Sequence, residues 1–434
     1  MSDDAPPPLP PVSPRPVTNQ VDGRVPGLPP GAPFPPPSNQ PIEWTRWVPE
    51  VRLLEAPRIA LSPVIVALAL AGLIVAAGGD LLIREVFGGE SAASFPWEPP
   101  VRRFDAPLPV GLAAHPATDS LFAPVQMPWA GVSDVLSLSG WAPTLRGAAR
   151  VLWAIATWGF FGTAIARCAA VRFAIGASGS PTAAVRMAGG RWISSLGGPL
   201  LPAVGLGVLA LGLIVFGWAG DLPGVGPWLV AILWGAALLA GLAGVILLIL
   251  AAIGWPLMLA ALAVEGSDAF DAFSRAFSYV LGRPLRLAIH LLLSVTIAVV
   301  AVSLAWFVAV WAATLAAGAA GVGMGSDDLA NLGVTPNVFN ARPLATEGGD
   351  GVPGAIGEFW LALWSALPTA YAAGLFWTLT TISYFLLRYA DDAVETDELW
   401  QPAKGEPVDD DEIPRVGVAA SDLPTIERPH GPSV

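Results

Sequence analysis

The sequence predicts an all-α integral membrane protein, a bundle of about six transmembrane helices with an interfacial amphipathic helix and disordered tails. Hydrophobic residues make up 54% of the 434 residues and charged residues only 13%, whereas soluble proteins carry about 25% charged residues. Several apolar runs also exceed the about 20 residues that an α-helix needs to cross the hydrocarbon of a bilayer. The chain therefore has too few polar residues to cover a soluble fold of this size.

Six apolar segments are long enough to span a membrane. They are approximately 59–83, 147–171, 192–220, 228–254, 287–317 and 359–387. Asp80 interrupts only the end of the first segment. The second is short, so we expect Arg150 and Arg167 to extend toward opposite interfaces. Pro256 and Pro368 are candidate helix breaks, because proline lacks a backbone donor.

The positions of arginine predict the orientation of the bundle. Arginines concentrate before the first segment, between the second and third, and between the fourth and fifth; they include Arg46, Arg52, Arg58, Arg172, Arg186, Arg191, Arg275, Arg283 and Arg286. Because basic residues favour the cytoplasmic side, both termini are expected there, in a multipass protein of the cell membrane. The loops 84–146 and 318–358 are then extracytoplasmic. The first carries four arginines and fits less well, but at about 60 residues it reaches the length limit of the rule.

The two tails differ in composition from the predicted six-helix domain, residues 43–388. Residues 1–42 contain fifteen prolines, which favours an extended or disordered cytoplasmic tail. Residues 389–434 contain twelve acidic and three basic residues. We interpret this second segment as an acidic, solvated cytoplasmic tail.

Between the fourth and fifth spans, residues 267–281 predict a short amphipathic helix. Its candidate site residues are Ser267, Asp268, Phe270, Asp271, Phe273, Arg275 and Phe277. Ser267 is the expected N-cap, and the two aspartates lie in the first turn, where the helix dipole favours anions. The phenylalanines recur at three- and four-residue spacing and form one face, which suits either the acyl chains of the membrane interface or the helix bundle.

The same region carries a resemblance to known proteins. The motifs are Ala263-Val264-Glu265-Gly266, Ala269-Phe270, Arg275-Ala276-Phe277 and Gly282-Arg283-Pro284. They resemble a turn found in uncharacterised bacterial multipass membrane proteins, which are distantly similar to the membrane domain that accompanies some glycerophosphodiester phosphodiesterases. The pattern departs from that group at Ala276, where a serine is usual. The resemblance implies a helix bundle over the third to sixth spans, but not phosphodiesterase activity, which in that family belongs to a separate soluble domain.

The sequence predicts no catalytic, cofactor-binding or metal-binding residues. Its histidines, His115, His290 and His430, are scattered, and Cys168 is the single cysteine, so a histidine and cysteine metal site is hard to assemble. His290 is interpreted as an interfacial side chain hydrogen-bonded to a neighbouring helix. The protein is therefore predicted not to be an enzyme.

Two functions remain open at this point. The first is a non-enzymatic membrane-organising or adaptor protein, whose partners are the lipid bilayer and cytoplasmic proteins bound through the tails; nucleic acid is not among the expected partners. The alternative is a transporter or channel for a small solute or lipid, which would need a polar path near the middle of the membrane. The sequence does not specify an oligomeric state.

Overall fold

The computed structural model of the chain describes residues 48–88, 120–136, 140–332 and 351–400. Within these ranges every regular element is a helix. The predictions for residues 1–42, for the central part of the first loop, for residues 333–350 and for the tail beyond residue 400 lie outside the described residues.

A 3₁₀ helix, Pro49–Glu55, precedes the helices of the bundle. The helices are α1 (Ala56–Ala60), α2 (Pro63–Phe87), α3 (Ala123–Leu136), α4 (Trp141–Ile175), α5 (Pro181–Gly190), α6 (Trp192–Gly220), α7 (Gly226–Glu265), α8 (Ala269–Gly282), α9 (Pro284–Met324), α10 (Ser326–Asn331) and α11 (Gly351–Asp392). Six of them, α2, α4, α6, α7, α9 and α11, are long and apolar enough to cross a membrane. The prediction of an all-α protein with six such helices is confirmed.

The helix limits differ from the predicted spans. The first span was expected to begin at Ile59, but Ile59 and Ala60 belong to α1, and α2 begins at Pro63. The backbone of Ser62 is extended, and the fixed φ of a proline suits the first helical position. Helix α6 has the predicted limits, 192–220. The remaining four helices run beyond their predicted spans at both ends, because helical hydrogen bonding continues after the apolar run has ended.

The two candidate breaks do not interrupt their helices. Helix α7 continues through Pro256 to Glu265, and α11 continues through Pro368 to Asp392. Both prolines are buried. Proline removes one backbone hydrogen bond from a helix, but in a packed bundle the neighbouring helices can hold the chain helical around it.

The core lies between α4 and α11. In the most apolar stretch of each helix, 78% of the residues of α4 and 89% of those of α11 are buried, against 6% for α6 and none for α7. Trp377 of α11 packs against Trp158 of α4 with tilted rings and against Trp255 of α7 edge to face, with ring centroids 6.0 and 5.9 Å away. A Cβ on Gly162 would lie 3.0 Å from the Trp377 ring, so this glycine lets α4 and α11 approach closely.

Helix α3 lies within the loop that was predicted to be wholly extracytoplasmic. The indole Nε1 of Trp306, near the middle of α9, donates a hydrogen bond of 2.9 Å to Ser120, just before α3. At its other end, Asp134 contacts the first turns of α4. A 14-residue helix is about 21 Å long, so α3 is much shorter than α4 with 35 residues and α9 with 41. It was missed because it is too short for a membrane span and contains Pro128.

An ion-pair network holds α2, α3 and α4 together at this end. Arg150 donates to Asp80 at 2.8 Å and to Asp134 at 2.6 Å, and Arg146 donates to Asp134 at 3.2 Å. Arg84 also pairs with Asp80. Arg150 was expected to extend to the membrane interface; instead it joins three helices, because two carboxylates on neighbouring helices lie within its reach.

We predict that Gly147→Ala destabilises the packing of α3 on α4. A Cβ on Gly147 would lie 2.5 Å from the carbonyl oxygen of Gly131, and backbone cannot yield as a flexible side chain can. The expected loss is about 1–3 kcal/mol, seen as a lower midpoint of thermal unfolding in detergent. Gly78→Ala is the matched control, because a Cβ there meets nothing within 4 Å. A midpoint for Gly147→Ala at or above that of the control would contradict the prediction.

Candidate functional site

The candidate site is the face of the bundle that carries α8, here called the α8 face. Helix α8 begins at Ala269, and its N-cap is Asp268, whose carboxylate accepts a hydrogen bond of 2.8 Å from the Asp271 N–H. This corrects the expectation that Ser267 caps the helix. The Ser267 hydroxyl is buried without a partner, while its carbonyl accepts a hydrogen bond from Arg191. Asp268 takes this role because it directly precedes the first helical residue, and its carboxylate reaches one of the N–H groups that have no partner within the helix.

Helix α8 packs on the bundle through a different stripe from the predicted phenylalanine face. The buried residues are Ala272, Ala276, Tyr279 and Val280. Phe270 is exposed, whereas Phe273 and Phe277 are half-buried, stack with ring centroids 4.3 Å apart and pack against the core. The alanines are small enough to let the helix backbone approach its neighbours, so they, rather than the aromatic side chains, take the closest contact. The large aromatic residues are left at the edge of this contact.

Glu265 is the centre of the polar contacts on the α8 face. Its carboxylate accepts hydrogen bonds from the Tyr384 hydroxyl at 2.7 Å, and pairs with Arg388 at 3.1 Å and with Arg275 at 2.9 Å. The side chain is only 10% exposed. One carboxylate at the end of α7 therefore joins α8 to α11.

Arg275 also makes the expected pair with Asp271, at 3.2 Å along α8. Burial lowers the pKa of the Arg275 guanidinium, but the charge of Glu265 and the hydrogen bond to Asp271 outweigh this and raise it above its usual value. Arg275 is therefore held in its charged form between two carboxylates.

The chain after α11 folds back across the α8 face. Ala393 adopts a φ of 54°, which is uncommon for a residue with a side chain and ends the helix. We call residues 393–400 the C-terminal strap. The Trp400 N–H donates to the Val264 carbonyl at 2.9 Å, and the guanidinium of Arg191 lies 5.5 Å from the centre of the Trp400 ring. Gly266 has a φ of 60° and a Cβ there would lie 2.5 Å from that ring, so the turn requires glycine on both counts.

Further contacts tie the strap to the ends of the bundle. Thr396 accepts a hydrogen bond of 2.5 Å from Arg52, and the carbonyl of Glu398 accepts one of 3.0 Å from Arg388. Two aspartates at the end of α11 are also paired: Asp391 with Arg283 at 2.8 Å, and Asp392 with the Tyr279 hydroxyl at 2.5 Å. The start of the acidic tail was expected to be a solvated face; instead its first acids bind α8 and the residue that follows it.

Arg167 is buried beneath the strap. It is 7% exposed and donates hydrogen bonds to the carbonyls of Ala263 at 3.1 Å and Trp400 at 2.9 Å. The expectation that Arg167 extends to the membrane interface is therefore wrong. The last carbonyls of α7 have no partner within their own helix. The guanidinium of Arg167 donates to one of them and therefore does not extend into water.

Some site residues could not be recognised in the sequence. In the sequence, Tyr384 and Arg388 lie at the end of an apolar span, and Trp400 lies in the segment that was interpreted as a solvated tail. The available signal was the pair Glu265-Gly266, an acid and a helix-ending glycine directly after a long apolar run. His290 was interpreted as hydrogen-bonded to a neighbouring helix, but its Nε2 lies 3.9 Å from Glu50, beyond hydrogen-bond distance, and its Nδ1 has no partner.

The geometry of the α8 face suits holding segments together. Among the described residues, no group of three or more histidine, cysteine, aspartate or glutamate side chains could hold a metal ion. Comparisons with protein-family models, with curated proteins and with solved structures find no match to this chain.

We predict that the protein loses stability as the pH rises above about 10, the usual pKa of tyrosine. Burial raises the pKa of the Tyr279 phenol, and its hydrogen bond to the Asp392 carboxylate raises it further. The unfolded chain therefore releases this proton first, and the stability that the protonated phenol contributes is lost with increasing pH, by up to about 1.4 kcal/mol per pH unit.

The measurement is the midpoint of thermal unfolding in detergent between pH 8 and pH 11. Tyr279→Phe should lower the midpoint at pH 8, because Asp392 loses its donor, and should flatten the decline above pH 10. Tyr389→Phe, at an exposed tyrosine of α11, is the control and should follow the wild type. An equally steep decline in Tyr279→Phe and the wild type would refute the assignment.

Proposed function

We propose that this multipass membrane protein is a non-enzymatic membrane-organising or adaptor protein that binds cytoplasmic proteins through its tails. The observation that carries the proposal is the docking of the C-terminal strap on the α8 face. The strap is contacted by residues of the 3₁₀ helix, α4, α7 and α11, and by Arg191, which precedes α6. The acidic segment that begins at residue 401 therefore starts from a defined point on the bundle, next to α8.

The resemblance around Glu265 and Gly266 supports the same proposal. The resemblance to bacterial multipass proteins implies a helix bundle and does not imply phosphodiesterase activity. In the present chain, Glu265 joins α8 to α11 and Gly266 makes room for Trp400. Both residues of the motif therefore have a part in building the face from which the strap and the acidic segment extend.

The proposed location is the cell membrane, with both termini and the α8 face in the cytoplasm. Cys168 is 5% exposed and is unsuited to a labelling test, so a reporter is placed on an exposed residue instead. In a Cys168→Ser background, Ser278→Cys on α8 should react with a membrane-impermeant thiol reagent in inverted vesicles but not in intact cells. Ser133→Cys on α3, also exposed, should show the reverse pattern. Labelling of Ser278→Cys from outside intact cells would overturn the orientation.

The adaptor proposal predicts a cytoplasmic protein that co-purifies with the full chain and is lost when residues 1–42 or 401–434 are deleted. Trp400→Ala should weaken its recovery, because it removes the ring that rests on Gly266 and Arg191. Trp228→Ala, at an exposed tryptophan of α7, is the matched control and should leave recovery unchanged. Recovery that is unaffected by both deletions would count against the proposal.

A transporter or channel for a small solute or lipid is the second candidate, and α3 favours it. Ser120, just before this helix, contacts Trp306 near the middle of α9, and with 14 residues the helix is much shorter than α4 or α9. Half-length helices line the substrate and ion sites of many transporters. A substrate-selective flux in proteoliposomes, together with the absence of a tail-dependent partner, would replace the adaptor proposal by this one.

A further inference from the structure

The C-terminal strap has no buried residue of its own, although it lies over residues that are buried. Residues 393–400 are all exposed or half-buried, and their backbone forms neither helix nor strand. Beneath them, Arg167 is 7% exposed, Cys168 5% and Val264 0%. We call these three residues the covered patch. The segment that shields the patch is therefore much less well packed than the patch itself.

Within the described residues, hydrogen bonds hold the strap to the bundle at three positions. Two of them are Thr396 and Glu398, which accept hydrogen bonds from arginines. The third is Trp400, whose N–H donates to Val264 and whose carbonyl accepts from Arg167, each at 2.9 Å. Single hydrogen bonds near the surface stabilise a fold only modestly, and segments with few buried contacts open below the free energy of global unfolding. We therefore expect the strap to open while the helices stay folded.

Trp400 is the anchor at the end of the strap. Its ring lies so close to Gly266 that an added Cβ there would be 2.5 Å from it, and the Arg191 guanidinium lies 5.5 Å from the ring centre. The preceding residue, Leu399, packs against the core and lines a small cavity together with Cys168. Because both residues belong to the strap and not to a helix, their release uncovers Cys168 without moving a helix.

We infer that the strap is a releasable latch, which hides the covered patch when closed and opens locally to expose it. Opening exposes a guanidinium, a thiol and a main-chain carbonyl together. Any ligand of the patch binds only the open form, so its apparent affinity is reduced by the fraction of chains that are open. The latch goes beyond the adaptor proposal and does not rest on it, because it involves only contacts within the chain.

Cys168 reports the opening of the latch, because it is the single cysteine and is buried when the latch is closed. The rate of its alkylation by a water-soluble maleimide is measured on the full-length protein in detergent, together with hydrogen exchange of the strap and of α4. If the latch opens and closes faster than the thiol reacts, the alkylation rate is proportional to the open fraction. The amides of the strap should exchange while those of α4 around Cys168 remain protected.

The variants separate opening of the latch from unfolding of the bundle. Trp400→Ala should speed alkylation about tenfold, because the ring loses its packing on Gly266 and its contact with Arg191. Trp400→Phe keeps a ring at this place and should give an intermediate rate. Trp228→Ala, at an exposed tryptophan of α7, is the matched control and should react at the wild-type rate. Gly147→Ala, at the other end of α4, should also leave the rate unchanged, although it is predicted to destabilise the bundle.

Three results would overturn the latch. An unchanged alkylation rate in Trp400→Ala would mean that Cys168 is reached by another route. Equal acceleration in Gly147→Ala and Trp400→Ala would mean that the thiol is reached through unfolding of the bundle, and so would exchange of the strap and α4 at the same rate. None of these results bears on the co-purification of a cytoplasmic protein, so a failure of the latch is distinct from a failure of the adaptor proposal.

Discussion

Hydrocarbon offers no hydrogen-bond partner to a peptide group, and this constraint accounts for most of the architecture. A chain with 54% hydrophobic residues that crosses a bilayer must satisfy its backbone internally, and helices achieve this. Within the bilayer the hydrophobic effect no longer drives the helices together, since lipid tails are as apolar as leucine. Close packing between helices must hold the bundle instead. This is why Gly162 lies beneath Trp377, and why Gly131 and Gly147 bring α3 and α4 almost into backbone contact.

Polar groups are concentrated at the two ends of the bundle, where each joins several helices. At one end, Asp80, Asp134 and Arg150 connect α2, α3 and α4. At the other, Glu265 joins α7, α8 and α11, and Arg167 connects α4 to α7 and the strap. Ion pairs that are partly shielded from water are strong only when all their members are matched. Arg167 differs from these groups, since its hydrogen-bond partners are backbone carbonyls.

The candidate site shows which contacts a local sequence pattern can predict. Residues 267–281 carry helix signals, and a helix is present at Ala269–Gly282. The pattern also identified the pair Asp271 and Arg275, because both belong to one helix and their spacing is local. It did not identify Tyr384, Arg388 and Trp400, which lie 119 or more residues from Glu265 along the chain. It also left open whether the phenylalanines face the acyl chains or the bundle, because hydrophobicity does not show that the small residues Ala272 and Ala276 allow the closer approach.

The amino-acid sequence by itself determined the class of the protein: the number of membrane-length helices, their order, and the composition of the tails. These follow from local physics, the free energy of placing each side chain in hydrocarbon and the length needed to cross it. Only the tertiary structure decided that the short helix α3 packs against α4, that Pro256 and Pro368 leave their helices intact, and that the chain after α11 returns to cover Arg167. Each of these depends on contacts between residues far apart in the chain, and such contacts leave no periodic signal in the order of the residues.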